Sequence, residues 1–302
     1  MKKAFFDKIL TLGIALAFFA TSALAGEKTS VGSKSFLWKV QSKTATAYIL
    51  GSVHLAKPDL YPLPQKIEES FAKSTALAVE ADPAKAKDPA LLRQLLAAAV
   101  YAKGDTLKQH LSNETYELAG QEVQRLGLPM ETFKSFKPWF LAMSIETLEL
   151  QRLGYDPEHG IDVYFAGKAA GKKRIIELES FDFQIKLLNG FTEREQELFL
   201  LYTLKDLAGF QVETEKLMTA WRTGDTKTME TLATRALFES AWELQPIYEK
   251  LFYKRNREMT AKVGQLLNGK ETVFVVVGAA HLVGMDGIIE LLRGQGYSVE
   301  QM

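Results

Sequence analysis

The sequence predicts an α/β fold: a small mixed sheet built from both ends of the chain, wrapped by helices, with a largely helical insertion over about residues 88–154. Three observations carry this. An apolar run ending in Gly-x-x-His is written twice, as Tyr48-Ile49-Leu50-Gly51-Ser52-Val53-His54 and as Val275-Val276-Val277-Gly278-Ala279-Ala280-His281, near opposite ends of the chain. Residues 272–277 are rich in valine, as expected of a central strand buried on both faces. Between these two phrases the long stretches keep helical spacing, with Leu91, Leu92, Leu95, Leu96 and Val100 as the first example.

Residues 35–41 and 45–50 read as two short strands joined by Ser42-Lys43-Thr44, a hairpin whose second strand runs into His54. A helix is expected over 65–74. A buried strand follows over 77–79 and ends in Glu80-Ala81-Asp82-Pro83, where proline cannot continue the ladder. Within 88–154, Ser112 caps a helix that reaches 126 with Gly127 as its stop. Lys137-Pro138-Trp139 opens another, with proline in the first turn, where its missing N–H costs least. A helix over 160–171 and a strand over 174–178 come next. Residues 181–188, 193–221 and most of 226–267 read as helical. The chain closes with strand 272–277, helix 282–293 and strand 297–299, a βαβ unit.

The 302 residues carry 37 basic and 37 acidic side chains, four histidines and no cysteine. Met1-Lys2-Lys3, an apolar stretch over 9–20 and Ala23-Leu24-Ala25 form a secretory signal pattern, so residues 1–25 are read as a signal peptide and 26–302 as one domain. An uncleaved N-terminal anchor is the competing reading. Without Lys2, Lys3, Lys8 and Asp7 the mature chain keeps a net charge of about −2. No basic run stands out, which argues against a nucleic-acid partner, and no later stretch is long and apolar enough for stable membrane insertion. The expected location is periplasmic or secreted. Lack of cysteine excludes thiolate metal sites and a cysteine nucleophile.

His54 and His281 each sit three residues after a strand-ending glycine, and ligands in α/β sheets collect at the carboxyl ends of strands. Neutral imidazole is a common metal ligand. Glu80, at another strand end, is the third candidate ligand if its strand runs parallel to 45–50. Two histidines and a carboxylate leave open positions and suit Fe(II), Mn(II) or Zn(II). The competing reading is that both histidines only hydrogen-bond loop backbone. Asp82 reads as a further ligand, an imidazole partner, a proton acceptor or merely a turn cap. Glu179, at the end of strand 174–178, is a candidate general base or a salt-bridge partner. Asp162 reads as an acid placed at a helix start for the dipole, and His110 and His159 look ordinary. Ser52 has no base or orienting acid supplied by spacing. There is no phosphate-binding glycine loop and no His-Glu-x-x-His helix.

Taken together, these motifs resemble the TraB/GumN family, whose animal members include the Tiki proteases. The resemblance rests on Phe36-Leu37-Trp38-Lys39-Val40, the first Gly-x-x-His phrase, Ala78-Val79-Glu80-Ala81-Asp82, Lys137-Pro138-Trp139 and Gly160-Ile161-Asp162. Leu178-Glu179 with Gln184, Arg255-Asn256 and Gly278-Ala279-Ala280-His281-Leu282-Val283-Gly284 complete it. It implies an erythromycin-esterase/ChaN-like fold and a metal-dependent centre at His54, His281 and Glu80, with Mn(II) or Co(II) favoured. It also implies Arg255 as a group that steadies an oxyanion or a substrate carboxylate, or else a structural ion pair. The expected function is that of an exported metal-dependent hydrolase, a metallopeptidase with a peptide or protein substrate. The alternatives are a non-catalytic protein holding a peptide, haem or metal complex in the same crevice, and an interaction protein whose site has decayed.

Overall fold

The structure, a computed structural model, describes residues 34–239 and 241–302; the expected signal peptide lies outside the described residues. Six strands form one mixed sheet: β1 (Leu37–Gln41), β2 (Thr46–Ser52), β3 (Ala76–Val79), β4 (Arg174–Glu177), β5 (Thr272–Gly278) and β6 (Ser298–Gln301), in the order β4-β3-β5-β2-β1-β6. The hairpin expected at the start is present, β1 running antiparallel to β2. The valine-rich strand β5 lies between β2 and β3 and runs parallel to both. Its side chains from Val273 to Val277 are all buried, as the lack of alternation requires. Because β2, β3 and β5 share one direction, the residues following Ser52, Val79 and Gly278 emerge at one edge of the sheet.

Two departures from the expected elements bear on the site. β6 is not a neighbour of β5; it pairs antiparallel with β1, with two strands between. After β5 the chain first makes a 3-10 turn, Ala279–Leu282, and the following helix begins only at Ile288. Gly284 at φ 81° lies in the intervening loop. Elsewhere, the helix expected over 193–221 is divided into Glu193–Asp206 and Phe210–Thr223, with Gly209 at the second start. The helical run after 226 is interrupted by a π-helical turn at Glu249–Tyr253, immediately before Arg255.

One core lines the sheet. Phe71, Phe165 and Phe274 pack ring against ring, with centroids 4.8–5.5 Å apart, and fix helices Gln65–Lys73 and Ile161–Ala169 to one face. Met259 and Val263 of helix Lys254–Leu267 are also fully buried in this core. A second core is wholly helical. Residues of the 88–154 region such as Trp139, Leu141 and Ile145 meet Leu188, Phe199, Leu200 and Leu251 from a later part of the chain. Helices from both the β3–β4 and the β4–β5 connections thus contribute to this second core. No helix among the described residues is long and apolar enough to cross a membrane.

Candidate active site

His54, Glu80 and His281 come together at the carboxyl edge of β2, β3 and β5. A Cβ placed on Gly278 would lie 3.2 Å from Glu80 Oε1, 3.4 Å from His281 Cδ2 and 3.5 Å from His54 Nε2. The three side chains therefore face one small space, which the absence of a side chain at position 278 leaves open. Gly278 N donates to Glu80 Oε1 at 2.6 Å and fixes that carboxylate.

Each imidazole is held through its Nδ1. His54 Nδ1 lies 2.7 Å from Asp162 Oδ2, and Ser52 Oγ donates to the same oxygen at 2.6 Å. His281 Nδ1 lies 2.6 Å from Asn256 Oδ1, an oxygen that can only accept, so Nδ1 carries the proton and Nε2 presents a lone pair. The environments differ electrostatically. Burial pushes the His281 imidazole well below its usual value, and the Arg255 charge adds to this, so His281 is neutral. Burial also disfavours charge on His54, but the Asp162 carboxylate, by its charge and its hydrogen bond, outweighs this and raises the imidazole to about 9. The opposing effects at Asp162 run likewise: burial would raise its carboxyl, while His54 and Ser52 hold it below the usual range.

Arg255 is 1% exposed and bridges two acids. Its Nε donates to Glu179 Oε1 at 2.8 Å, and its Nη2 donates to Glu179 Oε2 at 2.8 Å and to Glu80 Oε2 at 2.7 Å. Nη1 donates to Leu251 O at 3.0 Å, a carbonyl inside the π-helical turn. Burial opposes the guanidinium charge, but the two carboxylates more than restore it. Gln184 Nε2 donates to Glu179 Oε2 at 3.1 Å and approaches Glu80 Oε2 at 3.4 Å.

The sequence-derived candidates thus fall into three places. His54, Glu80 and His281 share the space beside Gly278. Glu179 and Arg255 form a buried bidentate pair directly behind Glu80. Asp82 stands apart: it accepts from Ala84 N at 3.1 Å and caps the short turn Pro83–Lys87. Two functional groups escaped the reading of the sequence. Asp162 is no simple helix-start acid but the partner of both His54 and Ser52, and Asn256 is the partner of His281. Their signal was present in Gly160-Ile161-Asp162 and Arg255-Asn256, but nothing local says which strand end each faces. Gly160 is what lets Asp162 reach its place. Ile161 N donates to Val53 O at 3.1 Å, and a Cβ at position 160 would lie 2.3 Å from His54 O.

The donor chemistry suits a divalent cation: two imidazoles whose Nδ1 atoms are tied to an acid or amide, and one carboxylate with an unshared lone pair. Among the described residues no group of three or more His, Asp or Glu side chains stands at metal-holding distances. His281 Nε2 and Glu80 Oε1 are 4.0 Å apart, and His54 holds a proton that a ligand gives up on binding.

Fold and site together define an α/β protein with a two-histidine, one-carboxylate centre at the carboxyl edge of a mixed sheet. Over residues 36–301 the chain matches the model of the TraB/PrgY/gumN family, and it belongs to that family. It is 26% identical over 247 residues to the uncharacterized protein YbaP of Escherichia coli (strain K12), covering 82% of this chain and 87% of that one. A metalloprotease TIKI homolog of Nematostella vectensis is 24% identical over 320 residues, covering 88% of this chain and 66% of its own length. The metalloprotease TIKI1 of Danio rerio is 23% identical, covering 88% and 63%. No solved structure matches the chain.

Proposed function

We propose that this protein is an exported, metal-dependent peptidase. The observation that carries the reading is the convergence of His54 Nε2, the His281 ring and Glu80 Oε1 on the space beside Gly278. The naming of relatives of similar length of match as metalloproteases supports it. His54, His281 and Glu80 would hold the cation, with Mn(II) or Co(II) favoured by the family resemblance and Zn(II) or Fe(II) also suited to these donors. A divalent cation there supplies Lewis acidity toward water and toward a substrate carbonyl.

The chain's own groups do the rest. Asp162 and Asn256 fix the two ring orientations so that both Nε2 atoms face the same space. Arg255 neutralises Glu80 and Glu179 and brings a positive charge beside developing negative charge on the substrate. With both oxygens bonded to Arg255, Glu179 acts in this reading to orient the guanidinium, and Asp82 to shape the turn that borders the cleft. From the helical region 88–154, Leu150 reaches the wall of the site.

Elemental analysis of the purified protein after loading with Mn(II), Co(II) or Zn(II), beside His54→Ala/His281→Ala, tests the centre. Close to one metal per chain in the wild type and none in the double variant is the expected result, with peptide cleavage lost in parallel. Equal metal content in both would overturn the assignment.

A further inference from the structure

Two cavities meet at the site, and His54, Leu55 and Glu80 line both. The larger, about 270 Å3, is lined by Phe181, Val163, Ala166 and the pair Lys87–Glu158, whose side chains join at 2.9 Å. The smaller, about 80 Å3, lies on the His281 side and is walled by Leu150, Leu217, Met218, Met229, Ala233 and Phe252. Apart from the site's own residues, its lining among the described residues offers no charged group. The Thr214 hydroxyl on its wall is spent on Phe210 O at 2.7 Å, the Arg255 donors that face the site are committed to Glu80 and Glu179, and Tyr155 adds one phenol to the lining. A charged side chain entering this cavity would lose its hydration with no opposite charge, and at most the Tyr155 hydroxyl, to replace it.

We infer that the smaller cavity is the specificity pocket of the proposed peptidase, and that it takes one aliphatic or thioether side chain, of leucine, isoleucine, valine or methionine, from the residue flanking the scissile bond. The inference rests on the peptidase reading for the reaction, and on the cavity itself for the side chain. Size selects within the apolar residues. A dry apolar cavity of about 150 Å3 accommodates benzene, or about 25 Å3 per carbon, so 80 Å3, which includes the space beside Gly278, holds at most about three to four carbon or sulfur atoms. That is an aliphatic side chain and not an aromatic one. Two wall positions change this count without touching the site's donors. Ala233→Leu adds three carbons and fills the pocket. Met229→Ala removes three heavy atoms and brings the volume to about that of the benzene-holding cavity.

The test has two arms. In the first, the metal-loaded protein and both variants cleave a peptide library, and the products are sequenced. Expected is enrichment of Leu, Ile, Val or Met at one position beside the cut, a loss of at least about tenfold in kcat/KM for such peptides in Ala233→Leu, and acceptance of Phe in Met229→Ala. The second arm needs no turnover. With 13C-methyl methionine, the Met218 and Met229 signals are followed while N-acetyl-leucinamide, N-acetyl-methioninamide, N-acetyl-phenylalaninamide or N-acetyl-lysinamide is added. Saturable shifts with the first two alone, abolished in Ala233→Leu, are expected. Cleavage without the apolar preference, or no shift with any amide, overturns the pocket. Shifts without cleavage of any peptide support the pocket and overturn the peptidase.

Discussion

Arg255 sets the electrostatics of the site, because one buried guanidinium serves two buried carboxylates. Removing it strands both. Arg255→Met should cost about 3–5 kcal/mol of unfolding free energy, the usual loss when one partner of a buried pair is taken away. Urea denaturation of the two proteins measures it, and a change below 1 kcal/mol would show that the carboxylates find other partners. Asp162 acts at one remove, through the orientation of His54. Asp162→Asn keeps the size of the side chain and loses the charge. We expect metal affinity to fall about 10–100-fold with the fold intact, read by metal titration and circular dichroism. Unchanged affinity would mean that His54 is not a ligand.

Helix positions are fixed by close approach as much as by packing. The helix Ile161–Ala169 starts against the backbone of His54, so Gly160→Ala should push Asp162 out of register, lowering metal affinity more than it lowers stability. Calorimetry with and without metal separates the two effects. The helix Pro138–Arg152 carries a different device. Glu146, buried, has Oε1 without a hydrogen-bond partner, and burial with the nearby Asp206 charge raises its carboxyl well above the usual range. A raised folded-state value means that the folded chain binds the proton more tightly than the unfolded one. Its contribution is complete below the ordinary carboxyl range and is lost as pH rises through the raised value. Glu146→Gln should remove this fall, so that its melting temperature declines less than that of the wild type toward alkaline pH. Parallel curves would show that Glu146 is not the group responsible.

The same contrast explains what was legible in the sequence. The strands and their histidines could be read because the signal is local: an apolar run, a glycine, a fixed count to the imidazole. Glu80 joined the two histidines in that reading only on the condition that its strand runs parallel to β2, a direction that a local pattern does not contain and that β5 sets by pairing parallel with both. The partnership of Asp162 with His54 could not be read, since it depends on a helix docking onto a loop more than a hundred residues earlier in the chain. The π-helical turn before Arg255 left no local mark either, because a helical period continues on both sides of it.

At the scale of the molecule, the proposed ligands come from residues 54, 80 and 281, so the unfolded chain has no site. A metal bound only by the folded state should raise its stability by about 2.7 kcal/mol at a hundredfold excess over Kd. Thermal melts across a metal titration check this, and a melting temperature independent of metal would count against the centre. The two cores are tied through the helix carrying Arg255, which is rooted in the sheet core by Met259 and Val263 while the turn before it contributes Leu251 to the helical core. Binding at the sheet edge should therefore protect amides in both layers from hydrogen exchange.

β5, one of the two central strands of the sheet, is made after β2 and β3. Without β5, β2 and β3 have no common neighbour. A nascent chain that has emerged only as far as the Lys254–Leu267 helix carries His54, Glu80 and Arg255 but not the strand that unites them. The proposed centre is therefore complete only once β5 has paired with both strands. On the peptidase reading, a chain without β5 has no active centre.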